Sequence, residues 1–208
     1  MKCSNPACAR EIPVEAIFKI VKGNGVARCL CKTETVVPFP AVKNAVIACL
    51  DEGVDCPACG QFAKRYKRPL NSGMAKWLVA LIRLHNAGAE WAHISWIAAV
   101  IRGTPPAEAK LLPPGSTAVG SGDGPKGVHW GIVEDMSNSD AAKKDSGYWR
   151  ATTKGRGFAG GAITLPKYSV LYNNVFERHD GDPVTIREVW GEHFNFQDLM
   201  NGVGTNPD

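Results

Sequence analysis

Alternating hydrophobic and polar residues predict strands near the start of this chain. The segments 16–22 (AIFKIVK) and 26–37 (VARCLCKTETVV) have strand character, and the Gly-Asn-Gly sequence at 23–25 predicts the turn that joins them. The prolines at 38 and 40 end the second strand, and Pro40 suits the first turn of a helix that ends near Leu50. A further strand is expected after residue 60.

Helical periodicity replaces this alternation after residue 70. Asn71 and Ser72 predict the start of a helix that runs through Asn86, and a second helix is expected from Trp91 to about Arg102. Residues 104–127 are too rich in proline, glycine and serine for a stable helix. The apolar stripe of the first helix consists of Met74, Trp77, Leu78, Leu81 and Leu84.

The C-terminal half returns to short strands. An apolar segment at 128–136 (VHWGIVEDM) precedes a polar loop, and a strand is expected at Tyr148–Ala151. The tail predicts a hairpin that turns at Asn173 and Asn174 and is followed by one or two short helices. The expected fold class is therefore α+β.

Cysteine spacing adds metal chemistry to this picture. Six of the seven cysteines form three close pairs, Cys3/Cys8, Cys29/Cys31 and Cys56/Cys59, whereas Cys49 lies in an apolar run and is expected to be a buried bystander. The start of the chain has no apolar signal-peptide core, so we expect a cytoplasmic protein with reduced thiols. Paired thiols in that compartment favour Zn²⁺ over disulfides.

The three pairs can share zinc in more than one way. A hairpin between Cys3/Cys8 and Cys29/Cys31 would bring these two pairs together as a zinc ribbon, with four thiolates and no open coordination position. Such a site is structural. Other pairings use Cys56/Cys59, either in the same site or in a second one completed by His85 and His93, and one pair could simply be buried.

Charge is unevenly distributed. Residues 1–70 carry 11 Lys/Arg and 6 Asp/Glu, a balance of +5, whereas residues 71–208 carry 13 and 14, a balance of −1. The basic run Lys64, Arg65, Tyr66, Lys67 and Arg68 is the principal nucleic-acid candidate, because cations can meet phosphates while the ring stacks on a base. The simpler interpretation of this run is a solvated strand.

Enzymatic and membrane signals are weak. The chain contains no phosphate-binding Gly-x-x-x-x-Gly-Lys-Ser/Thr loop, no His-Glu-x-x-His and no Gly-x-Ser-x-Gly sequence. The HDGDP sequence at 179–183 has turn composition. No apolar run reaches 18 residues. We therefore expect a non-enzymatic protein without a small-molecule substrate or a membrane span.

Residues 71–160 resemble a winged helix-turn-helix domain. The resemblance is carried by Trp-Gly-Ile-Val-Glu at 130–134, the hydrophilic wing, and the returning strand that leads into Thr-x-Lys-Gly-x-x-Phe. It implies that Thr152 or Thr153 caps a closing helix, and that Lys143, Lys144 and Arg150 add wing contacts to nucleic acid. Residues 116–127 stand where DNA-binding members carry a basic recognition helix, so we expect a degenerate member. The matching motif residues of the closing helix are Lys154, Gly155 and Phe158.

The run from Cys56 to Met74 and the tail resemble uncharacterised phage and prophage proteins. The expected organisation is a zinc-ribbon region at 1–69, a winged-helix-like domain at 70–160, and a C-terminal hairpin with short helices at 161–208. The expected function is a phage-type, nucleic-acid-associated protein of the host cytoplasm that binds DNA rather than RNA. The alternative is an adaptor that binds a host or phage protein without touching nucleic acid.

Overall fold

The computed structural model describes residues 2–8, 10–12, 17–21, 24–37, 39–56, 61–116, 122–138, 140 and 146–191. The fold mixes helices and sheets, as the α+β prediction requires. The chain divides into two compact units. The first comprises Met1–Tyr66 with Leu171–Val175, and the second comprises Lys67–Val170 with Phe176–Asp208.

The first unit contains a three-stranded antiparallel sheet, β1 (Ile17–Val21), β2 (Asn24–Arg28) and β3 (Glu34–Val37), in the order β1-β2-β3. The predicted single strand at 26–37 is wrong, because a tight turn at Cys29–Thr33 divides it into β2 and β3. Lys32 adopts the left-handed conformation in that turn, with φ of 67°.

A short helix and a small hairpin follow in the same unit. Helix α1 (Phe39–Ala48) lies close to its predicted position. Strands β4 (Val54–Asp55) and β5 (Phe62–Ala63) then pair antiparallel around the loop that begins with the third cysteine pair. The strand predicted after this loop is present in two pieces, β5 and β6 (Tyr66–Pro69).

The second unit is built around α2 (Ser72–Asn86). As predicted, Asn71 caps this helix, because its side chain accepts a hydrogen bond from the backbone N–H of Met74. The helix is buried on most of its surface, including the whole predicted apolar stripe. It therefore forms the centre of the core of this unit. The core also contains Ile97, Trp130, Ile132, Trp149, Phe158 and Leu165.

The second helix begins later than predicted. Helix α3 spans Ile94–Ile101, and the preceding Ala92–His93 forms β7, which pairs with β9 (Tyr148–Ala151). The His93 side chain accepts from the backbone N–H of Ser95 and so starts the helix there. Helical periodicity alone predicts neither the pairing of β7 with a distant strand nor the histidine cap.

Residues 104–127 contain little helix, as predicted for the described part of this stretch. A single turn, α4 (Pro106–Ala109), and a 3₁₀ helix (Gly124–Trp130) are present. Gly124 is required where it lies, because an added Cβ would come within 2.1 Å of the Trp77 ring. The 3₁₀ helix leads into β8 (Val133–Asp135), and a three-stranded sheet forms in the order β7-β9-β8.

The closing helix α5 (Thr153–Ala159) starts as the Thr-x-Lys-Gly sequence predicts. The Thr152 hydroxyl caps it by accepting from the Gly155 N–H, and donates to the Gly131 carbonyl. Gly155 lies so close to β8 that a Cβ there would be 2.0 Å from the Ile132 carbonyl oxygen. The glycine is therefore a packing requirement.

The C-terminal hairpin is present as predicted. Strands β10 (Leu165–Tyr172) and β11 (Val175–Val184) are joined at Asn173 and Asn174, which both have positive φ, and the sheet order is β11-β10-β6. Helix α6 (Ile186–Trp190) follows, with Thr185 and Glu188 in a reciprocal capping box.

Two histidines in the second unit accept backbone hydrogen bonds in their neutral form. His85 bonds through Nδ1 to the Ala89 carbonyl at 2.6 Å and accepts through Nε2 from the Ala151 N–H at 3.1 Å. His93 Nδ1 accepts from the Ser95 N–H, and the buried Ser95 hydroxyl lies 2.7 Å from the same nitrogen. Burial lowers the pKa of both imidazoles below 6.5, and Arg156 and Arg150 lower the pKa of His85 further.

Gly155→Ala should destabilise the second unit, because the new methyl group would overlap the Ile132 carbonyl. We expect a loss of about 2 kcal/mol or more in the free energy of unfolding. Gly157→Ala is the matched control, since its Cβ would make only ordinary contacts at 3.7 Å or more. Urea unfolding followed by tryptophan fluorescence measures the difference, because all six tryptophans lie in the second unit. Equal stability of the two variants would contradict the packing requirement.

The second unit should lose stability as the pH falls below 6.5. Because the pKa values of His85 and His93 are lowered in the folded state, the unfolded chain takes up protons first, so the stability that these two histidines contribute is complete above pH 6.5 and declines below it. His93→Asn should flatten this decline, because asparagine keeps a capping oxygen but does not titrate. Urea unfolding on both sides of pH 6.5 tests this. An unchanged pH slope in the variant would show that His93 does not contribute.

Candidate metal centre

Four cysteine side chains of the first unit converge on one point. The Sγ atoms of Cys3, Cys8, Cys29 and Cys31 all lie within 4.8 Å of one another. The closest pairs are Cys3 with Cys31 at 3.6 Å and Cys8 with Cys29 at 3.5 Å. A tetrahedral zinc site with Zn–S bonds of about 2.3 Å has S–S edges of about 3.8 Å. The cluster therefore has the size and the donor set of a four-thiolate metal centre.

The first cysteine pair lies on a loop closed by its own backbone. The Cys3 N–H donates to the Arg10 carbonyl, and the Cys8 N–H donates to the Asn5 carbonyl, each at 2.9 Å. The Asn5 N–H points back at the Cys3 Sγ at 3.4 Å. An N–H directed at sulfur is typical of thiolate ligands, because it stabilises their negative charge.

The second pair occupies the turn between β2 and β3. The Cys29 N–H donates to the Thr33 carbonyl at 3.0 Å, and the Lys32 N–H donates to the Cys29 carbonyl at 2.8 Å. The cross-strand ion pair between Arg28 and Glu34, at 3.0 Å, lies immediately beside this turn. The antiparallel register thus holds both sulfurs on one tight turn.

A pair of hydroxyls joins the two loops, and sequence reasoning missed it. The Thr35 Oγ1 accepts from the Ser4 N–H, and the two hydroxyl oxygens are 3.1 Å apart. Thr35 is one of the few buried polar residues among those described. Ser4 lies between Cys3 and Cys8, and Thr35 lies four residues after Cys31, but nothing in the spacing indicates that they meet. Their contact fixes the separation of the two loops and therefore of the four sulfurs.

Cys8 and Cys31 differ in their tendency to ionise. The Thr33 hydroxyl and backbone lower the pKa of Cys31 to about 6, which favours its thiolate form. The backbone of Arg10 lowers the pKa of Cys8, but burial and the neighbouring cysteines outweigh it and raise this pKa to about 11. A metal ion would displace the remaining protons, so metal affinity should rise with pH.

The third cysteine pair is only partly described. Cys56 is half-buried, and its N–H donates to the Gln61 carbonyl at 2.8 Å across the loop, whereas Cys59 lies outside the described residues. Cys49 is half-buried rather than buried, which differs from the bystander prediction. Of the histidines that the second-site hypothesis uses, His85 makes hydrogen bonds through both ring nitrogens and His93 through Nδ1.

The basic run has a more varied environment than a uniformly solvated strand. Arg65 is only 16% exposed and pairs with Asp51 at 3.5 Å, and Lys67 pairs with Asp180 at 2.6 Å. Arg68 is half-buried, and its charge lowers the pKa of Asp123 after the larger effects of Lys126 and Asn71. Two of the four predicted phosphate-binding cations thus have carboxylate partners within their own units.

Aromatic rings are exposed within the same segment. Phe62 is 59% exposed and Tyr66 is 57% exposed. Phe62 and Lys64 lie over Gly53, because a Cβ at that glycine would be 2.4 Å from the Phe62 Cζ and 3.3 Å from the Lys64 Cδ. Phe62 extends the predicted set, and the signal for it in the sequence was its position two residues before Lys64.

The predicted wing contacts are less favourable. Arg150 donates to the Glu134 carboxylate at 2.7 Å, and its guanidinium lies over the Trp91 ring at 4.5 Å. Lys143 and Lys144 lie outside the described residues. Arg150 is therefore part of the sheet surface of the second unit, and a phosphate would compete with Glu134 for it.

No protein family, curated protein or solved structure matches this chain. Within the described ranges, none of the helices combines the length and apolar character needed to cross a membrane. The functional interpretation therefore rests on the contacts and distances of the described residues.

Cys29→Ser should abolish stoichiometric metal binding, because it removes one of four converging thiolates. Cys49→Ser is the control, since Cys49 lies outside the cluster. Metal analysis after dialysis against a weak chelator measures the metal content per chain. Retention of full metal content by Cys29→Ser would contradict the assignment, and a loss of metal in Cys56→Ser would reveal a contribution from the third pair.

Proposed function

We propose that a single structural Zn²⁺ ion binds Cys3, Cys8, Cys29 and Cys31, and that the first unit is a zinc ribbon. The two loops and the hairpin between them support this proposal, as does the S–S spacing. Four thiolates complete the tetrahedral shell, so the ion would organise the fold without activating water. The Cys56/Cys59 loop stays a candidate for further metal contacts.

The second unit is proposed to be a degenerate winged helix. Its element order, α2-β7-α3-α4 followed by the 3₁₀ helix, β8, β9 and α5, supports this assignment, as does the sheet order β7-β9-β8. The 3₁₀ helix stands in the place of a recognition helix. Its lysine, Lys126, pairs with Asp123 at 2.5 Å, and its Trp130 is buried. This segment is poorly suited to reading a major groove.

The function supported best is that of a non-enzymatic, phage-type, nucleic-acid-associated protein whose main contacts lie in the Phe62–Arg68 segment. The observation that carries this proposal is the exposure of two aromatic rings, Phe62 and Tyr66, among four cations. Exposed rings that alternate with lysine and arginine are the usual means of contacting bases and phosphates together. The basic balance of residues 1–70, which include this segment, supports the same proposal.

Exposed apolar residues favour one alternative, an adaptor that binds a host or phage protein. Leu30 at the tip of the second cysteine turn is 84% exposed, and Val36 on the edge strand β3 is 65% exposed. Apolar side chains at such positions are typical of protein contacts. This function would require no phosphate binding.

A salt titration separates these functions. Nucleic-acid binding by the full chain should weaken as the salt concentration rises. The double variant Lys64→Ala, Arg68→Ala loses two phosphate contacts. On a single strand, the slope of log K against log[salt] should therefore fall by about 1.4 in magnitude. Fluorescence anisotropy with labelled DNA and RNA measures this slope.

The control is Lys43→Ala with Lys154→Ala, which removes the same charge from exposed positions elsewhere. If the control lowers the slope equally, the Phe62–Arg68 segment is not the contact. If no binding is detected at low salt, the nucleic-acid function is wrong and the adaptor is favoured.

A further inference from the structure

We infer that the Phe62–Arg68 segment selects unpaired bases, so that the ligand is a single strand rather than a duplex. This inference rests on the proposed nucleic-acid function and specifies its substrate class. It depends on the exposed rings of Phe62 and Tyr66, on the cation that lies beside Phe62, and on the partial neutralisation of the other cations.

The exposed rings set the chemistry of the ligand. Aromatic side chains gain binding energy by stacking on the face of a base. In a duplex these faces are covered by neighbouring base pairs, and only edges and phosphates are accessible in the grooves. Phe62 and Tyr66, which are both more than half exposed, can therefore stack on the bases of an unpaired strand but not on those of an intact duplex.

A fixed backbone presents the first ring together with a cation. Phe62 and Lys64 both lie over Gly53, where φ is +94° and the missing side chain leaves room for the ring. The Arg65 N–H donates to the Leu50 carbonyl at 2.7 Å, which anchors the same stretch. The Phe62 ring and the Lys64 stem, which lie over the same glycine, put an aromatic ring for a base and a cation for its adjoining phosphate on the same stretch.

Ion pairs partly neutralise the cations of the segment, which weakens any binding that depends on phosphate contacts alone. Asp51 pairs with Arg65, and Asp180 pairs with Lys67, so these carboxylates compete with a nucleic-acid backbone. Duplex binding without base readout depends on many unopposed cations. A segment with two of its four cations paired depends more on stacking, which favours single strands.

Among its described residues, the second unit has no element that is suited to reading a duplex. Gly124 packs on Trp77, Gly127 packs on Ile132, and Lys126 pairs with Asp123, so the 3₁₀ helix is committed to internal contacts. Arg150 is held by Glu134 and Trp91. The stacking segment is therefore the stronger candidate for determining specificity.

Anisotropy of the full zinc-loaded chain tests the inference with labelled oligothymidylate, oligouridylate and a DNA hairpin duplex of equal length. Single strands should bind about tenfold or more tightly than the duplex. Phe62→Leu and Tyr66→Leu should each weaken single-strand binding by about tenfold and leave duplex binding unchanged. Tyr66→Phe should retain affinity, because it keeps the ring.

Phe176→Leu is the matched control, since Phe176 is an exposed phenylalanine of the second unit. Metal content identifies any variant that fails to fold, and Tyr66→Phe against Tyr66→Leu then decides the role of the ring. Equal affinity for single strand and duplex, unaffected by either leucine variant, would overturn single-strand selection and leave nucleic-acid binding intact. Absence of binding to all three probes would overturn both.

Discussion

The convergence of four thiols is the constraint on which the first unit depends. Two of its described buried apolar residues are cysteines of the cluster, Cys3 and Cys29. A metal ion held by the four thiols would crosslink two loops that are distant in sequence and would restrict the unfolded chain. Metal binding and folding are therefore expected to be coupled here.

The second unit is stabilised differently. Helix α2 is buried along nearly its whole length, and close backbone approaches at Gly124 and Gly155 bring the 3₁₀ helix and α5 into contact with their neighbours. Here packing, helix caps and neutral histidines specify the fold. These contacts also commit the 3₁₀ helix and α5 to the interior of the unit.

Local signals in the sequence predicted the local structure well. The caps at Asn71 and Thr152, the turn at Asn173–Asn174 and the strand at Tyr148–Ala151 all depend on residues close together in the chain. The start of α3 was predicted wrongly because it depends on pairing with β9, which is distant in the chain. The interruption between β2 and β3 is a local feature, a tight turn at Cys29–Thr33, that the strand pattern does not indicate.

The candidate site likewise contains features that the sequence predicts and features that depend on distant residues. Convergence of the first two cysteine pairs was predictable, because a hairpin joins them. The carboxylates that pair with Arg65 and Lys67 were not, since Asp51 and Asp180 carry no signal of those contacts in the sequence. Whether the cations of a basic run are available to a ligand thus depends on the tertiary structure, even when the run itself is obvious in the sequence.

The hairpin tip Leu171–Val175 has a consequence for the order of events during synthesis. Although the first unit begins at the N-terminus, it includes this short segment from more than 100 residues later in the chain. The four cysteines leave the ribosome early and can bind metal at once, but the first unit cannot be completed until residue 175 has been made. The N-terminal unit would therefore be among the last parts of the nascent chain to reach its final structure.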